Sequence, residues 1–217
     1  MQSVFRFSMF GNYEKFATNN TEMYLKLINY FGLKGYKPAT ANELQLLPNG
    51  QVKTLIMPTF SGDSGIVIEI MSNRINFQKV VNEKMSLLEL SEAFKDEFID
   101  VLTSFWEEVK LTSNRLALNI ELVEHIDDSD IPLQSNYFSD VEKNEMSLRN
   151  SSRTNIGKEM CNVILERYDD VSNHLMKRVY DINTIGENQI MRFDLNTVKN
   201  MLVLFIDTAF DVEKGLK

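Results

Sequence analysis

A chain of 217 residues, 43% hydrophobic and 25% charged, has the makeup of an ordinary globular protein and excludes wholesale disorder. Lys and Arg number 23 against 31 Asp and Glu, a net charge of −8. That balance argues against non-specific nucleic-acid binding, because counterion release from a phosphate backbone requires a basic face.

Residues 2–10, QSVFRFSMF, alternate Phe5, Phe7 and Met9 against Arg6 and Ser8, the period of a half-buried strand. In TEMYLKLINYFGLKG, Met23, Leu27 and Phe31 repeat at helical spacing with Tyr24 and Ile28, and Gly32 and Gly35 offer a stop. Residues 36–50 read as a loop, holding Pro38, Pro48 and Asn49-Gly50. QVKTLIMPTF and SGIVIEIM then read as paired strands, and RINFQKV as the third strand of a meander. Ser86 and Glu89 form a capping-box pattern that opens a long helix reaching about Lys110. Its stripe, Leu87, Leu90, Phe94, Phe98, Val101, Phe105 and Val109, advances in steps of three and four along one face.

NRLALNIELVEHI returns to strand alternation, with Leu116, Leu118, Ile120 and Leu122 on one side. A polar stretch from Asp127 to Arg153 follows, with a short helix near 139–149. GKEMCNVILERYDD, NHLMKRVYDIN and NQIMRFDL read as three more strands separated by turn-forming residues. A closing helix starts near Asn196, with the stripe Val198, Leu202, Phe205, Ala209, Val212 and Leu216. The order strand, insertion, three-strand meander, long helix thus occurs twice. It predicts an α+β protein of two similar units, residues 1–112 and 113–217, each an antiparallel sheet with its long helix on one face. The two sheets are able to join into one continuous curved sheet.

Gly62-Asp63-Ser64-Gly65 matches the string around the nucleophile of trypsin-like proteases. Such a serine needs a histidine and an orienting acid, judged by geometry. Here His125 and His174 both follow Ser64, and Ile66-Val67 begin a strand where those proteases continue Gly-Pro. Hairpin-loop chemistry explains the tetrapeptide instead. The acidic run ELVEHIDDSD offers Glu121, His125 and Asp127 as metal candidates, without the glycine and terminal glutamate of a calcium loop. A solvated strand end explains it as well. No phosphate loop, dinucleotide fingerprint, zinc spacing or nucleophile elbow occurs, and no cofactor is expected. The single cysteine, Cys161, suits a small core residue in a reducing compartment. With neither a secretory start nor an apolar run of membrane-spanning length in view, a cytoplasmic location with no membrane partner is expected.

What remains is surface. The strand faces opposite the apolar rows carry Arg6, Arg115, Asn119, Glu121 and His125, with Arg74 at the start of the third meander strand. They are neither fully polar nor fully apolar, which suits a partner or ligand better than bulk water. The succession SGIVIEIMSNRINFQ, a helix bearing Phe105-Trp106, and NRLALNIELV resembles a sporadically distributed, functionally uncharacterised family of prokaryotic proteins. Its members show a strand ending in an Arg-containing turn, here Asn73-Arg74, and a strand opening Arg-x-Gly-x-Arg-Tyr. Arg115 matches the first arginine, while Ala117 and Asn119 replace the glycine and the second arginine. The resemblance covers about residues 50–125 and implies no established activity. The patchy occurrence of its members points to mobile or accessory loci, including antiphage defence. The leading expectation is a non-enzymatic protein-binding or scaffold subunit of a larger assembly, or one that self-associates. The alternatives are a small-ligand pocket between curved sheet and helix, and a metal-dependent hydrolase or nuclease.

Overall fold

A computed structural model describes residues 3–82, 85–125, 145–170, 172–186 and 190–214. Its centre is one nine-stranded antiparallel sheet of order β2-β3-β4-β5-β1-β6-β9-β8-β7. The strands are β1 Ser3–Phe10, β2 Lys37–Leu46, β3 Val52–Ser61, β4 Ile66–Ile70, β5 Arg74–Val81, β6 Arg115–His125, β7 Glu145–Ile156, β8 Glu159–Asp170 and β9 Leu175–Thr184. Among the described residues three α-helices accompany it: α1 Thr21–Leu33, α2 Leu87–Val109 and α3 Leu195–Lys214. The class is therefore α+β. Among the described residues, no helix is long and apolar enough to cross a membrane.

Alternation decides which sheet face is buried. Phe7 stands between Phe77 of β5 and Leu118 of β6, and Leu118 is followed across the ladder by Ile182 and Val163. All five are buried. The helices lie on this side. Phe94 and Phe98 of α2 meet Phe5 and Phe7 with ring centroids 4.2 and 5.1 Å apart, and Phe31 of α1 meets Phe60 of β3 at 4.4 Å. In α3, Val198, Leu202, Phe205 and Ala209 are fully buried, while Val212 packs at the margin.

Helix ends follow local chemistry. The Ser86 hydroxyl accepts from the Glu89 backbone N–H at 3.2 Å, and the Glu89 carboxylate accepts from the Ser86 N–H at 2.9 Å, so two end donors are satisfied reciprocally. The Asp194 carboxylate accepts from the Thr197 N–H at 2.8 Å at the start of α3. In the Ser64 hairpin, Gly65 adopts φ +87 and donates its N–H to the Gly62 carbonyl at 3.1 Å.

Several expectations are corrected. Residues 37–46 are not loop but strand β2, paired with β3 along its whole length. It is an outermost strand, exposed at nearly every position, so it carries no apolar alternation to detect. The polar stretch before Arg153 likewise contains β7, which occupies residues 145–149 where a helix was expected; the rest of that expected helix lies outside the described residues. The run NQIMRFDL is not a strand. Phe193 makes one isolated bridge to Ser113 and is buried, filling the core from a loop; residues 188 and 189 lie outside the described residues, as does Leu216. In α2, Val101 is only partly buried and Leu102 takes the buried position.

Candidate functional site

The α-helices of the described residues pack on one side of the sheet, and the other side is formed, among those residues, by the alternate positions of the strands. Register places these in rows across the strands. One row runs Glu69, Asn76, Ser8, Ala117, Asn183, Asn162 and Arg153; the next runs Val67, Gln78, Arg6, Asn119, Asp181, Ile164 and Ser151. Phe10, flanked by Arg74 and Arg115, closes one end, and Val4, Glu121 and Val179 continue toward the other.

The polar groups of these rows hold one another. Asn76 donates to Glu69 at 3.0 Å and accepts from the Ser8 hydroxyl at 2.8 Å; Arg6 donates to Gln78 at 2.9 Å. On the other half, Arg115 and Asn162 both donate to the Asn183 Oδ1, at 3.1 and 3.2 Å, while Asn183 donates to Asp181 at 3.2 Å and Arg153 donates to Asn162 at 3.1 Å. The Arg115 guanidinium lies 4.8 Å from the Phe10 ring centroid, within cation–π range. Lys177 pairs with Glu121 at 2.7 Å. Among the described residues, the Asn119 Oδ1 and the Arg115 Nε are buried on this face without a hydrogen-bond partner. The arrangement is a lattice of amide, carboxylate and guanidinium groups joined across the strands.

Of the residues singled out from sequence, Arg6, Arg74, Arg115, Asn119, Glu121 and His125 all belong to this helix-free side. His125 stands at its margin, with Nδ1 3.3 Å from the His174 carbonyl oxygen. Asn76, Gln78, Asn162, Asn183 and Lys177 were missed. Alternation within β5, β8 and β9 contained their signal, but only register reveals that they share rows with the residues of β1 and β6. For metal binding, Glu121 is engaged by Lys177 and Asp127 lies outside the described residues, as do Asp128 and Asp130. Among the described residues, no group of three or more His, Cys, Asp or Glu side chains is placed to hold a metal ion.

Two concavities lie on the helical side. A pocket of about 420 Å³ is lined by Tyr36, Asp63, Ser64, Glu97 and their neighbours, with no histidine among them, so the histidine of a trypsin-like triad is missing beside Ser64. A larger one of about 810 Å³ opens between the start of α2, the end of α3 and β9. Its Arg178 donates to both Glu124 and Glu213, and its acids outnumber its cations. Burial pushes the neighbouring Tyr180 hydroxyl up to about 12, against the partial relief supplied by Arg178, so it stays protonated at neutral pH. Cys161, buried within β8, is pushed up to about 11, again mainly by burial, which keeps it a thiol and a poor nucleophile. The chain matches no protein-family model, and no curated protein matches it in sequence.

Proposed function

We propose that the chain is a non-enzymatic binding subunit that engages another protein through the helix-free face of its sheet. One observation carries this reading: nine strands share a face that no described helix covers, and on it Arg6 is held to Gln78, Asn76 to Glu69, and Arg115 and Asn162 to Asn183 by hydrogen bonds. Groups ordered before contact lose little further entropy on binding. Phe10 beneath Arg115 supplies an aromatic and arginine anchor of the kind that dominates binding energy. The strand orders β3-β4-β5-β1 and β7-β8-β9-β6, each followed by a long helix, support reading the chain as two like units joined through β1 and β6. In that reading α1 and β2 are an addition to the first unit. The family resemblance supports a place in a mobile or defence locus, where a recurring gene neighbour would name the partner.

A photo-crosslinking residue at position 119, the middle of the face, is expected to capture a single protein in cells. The same group at Asn200, exposed on α3, is expected to capture none. Adducts at 200 and none at 119 would overturn the reading. The small-ligand alternative rests on the pocket around Arg178, and stands second because both Glu124 and Glu213 already occupy that guanidinium.

A further inference from the structure

The two ends of the sheet are finished differently. At one end β2 carries Pro38, which has no N–H to offer; proline is a common device against strand addition. At the other end β7 presents twelve residues, exposed along almost its whole length, with no proline and no pairing beyond β8 among the described residues. Its two arginines do not guard the edge. Arg149 is drawn to Glu166 at 3.2 Å and Arg153 to Asn162 at 3.1 Å, both on β8.

We propose that β7 pairs antiparallel with β7 of a second copy of this chain, about a two-fold axis at Asn150, extending the sheet across the dimer. The register follows from the hairpin. Ile156 and Glu159 close a two-residue loop, with Gly157 at φ +60, and such a closing pair is hydrogen-bonded. Even-numbered residues of β7 therefore direct their backbone groups to β8, and odd-numbered residues direct theirs outward. A two-fold at Asn150 sets odd against odd over the whole strand: Arg149 opposite Ser151, Ser147 opposite Arg153 and Glu145 opposite Asn155. A two-fold at 149 would set Arg149 against itself, and one at 151 would set it against Arg153. Like charges directly opposite are destabilising, so the centre at Asn150 is the full-length register without a conflict. Two-fold pairing is also the commonest closed assembly for identical chains.

At this axis the two Asn150 residues form a non-hydrogen-bonded pair, with Cα atoms about 4.5 Å apart, inside disulfide range. The two Ser147 residues are separated by six positions, about 20 Å along the strands. Asn150→Cys is therefore expected to give a disulfide-linked dimer on mild oxidation, and Ser147→Cys none. Sedimentation equilibrium of the unmodified chain should return twice the chain mass. Ser151→Pro removes an outward donor and should halve that mass with the melt retained, whereas Ser152→Pro breaks the β8 ladder and should lower the melting temperature. A monomeric native chain, an unlinked Asn150→Cys protein, or linkage at 147 each overturns the proposal. The helix-free face is not part of this contact, so crosslinking at 119 and linkage at 150 succeed or fail separately.

Discussion

Glu43 shows how one carboxylate secures a projecting element. It lies in β2 and accepts from the Ser72 backbone N–H at 2.8 Å and from the Ser72 hydroxyl, tying the β2–β3 hairpin to the β4–β5 turn. Burial alone would raise its pKa, but the hydrogen bonds from Ser72 and Gln45 together with the nearby Arg74 charge outweigh burial and hold it below the ordinary value of 4.5. A group whose folded pKa is lowered contributes stability that is present above the unfolded value and lost as pH falls through the folded one. The melting temperature of Glu43→Gln should therefore fall short of the native chain's at pH 7, and the gap should close as pH drops below about 4.5. A gap independent of pH would show that charge plays no part. Ser64 is a contrasting residue. Its tetrapeptide carried a catalytic signature in sequence, yet no histidine lines its pocket, because a triad is a property of space and a tetrapeptide is a property of order.

At the scale of elements, α2 was legible to its first residue, since capping chemistry and a continuous apolar stripe are both local. Ser86→Ala removes one half of the capping box and is expected to cost about 1 kcal/mol, read as a shift in the denaturant midpoint with an unchanged slope. Two outer strands were not legible. Nearly every residue of β2 and β7 is exposed, so neither face writes an apolar row into the chain, and both strands exist through backbone pairing with β3 and β8. The converse error came from NQIMRFDL, whose apolar residues suggest a strand although Ile190 and Met191 are exposed and only Phe193 is buried. Hydrophobic alternation thus found the inner strands and failed where burial and strand formation part company. The hairpin end of β2 and β3 also exposes Leu44 and Leu46, at 70% and 77%, an arm held by Glu43 and by the Thr18 N–H bonded to the Ile56 carbonyl at 2.9 Å.

For the whole molecule, the decisive contact is β1 beside β6. It runs from Val4 opposite Glu121 to Phe10 opposite Arg115 and fuses the two halves into one sheet, with α2 and α3 also adjoining. Cooperative unfolding of the entire chain is the expected result. The chain has a single tryptophan, Trp106 in α2, which is partly buried against the core. Its fluorescence should report the same midpoint as far-ultraviolet circular dichroism, which follows both halves. Phe98→Ala, which deletes a fully buried ring packed among Phe7, Phe77 and Phe94, should cost about 3–5 kcal/mol and lower both midpoints together. Separate midpoints would mean that the halves unfold independently.

Composition and periodicity by themselves determined the α+β class, the two long amphipathic helices, the inner strands and the apolar side of each, because burial is written into a chain at the spacing of its local structure. The mixed rows of Arg6, Arg115 and Asn119 were legible for the same reason. That Arg6 faces both Gln78 and Asn119, or that Asn183 gathers Arg115 and Asn162, was decided only by tertiary structure. Those neighbours are separated by tens of residues in the chain, and strand register, which no local pattern records, brings them together.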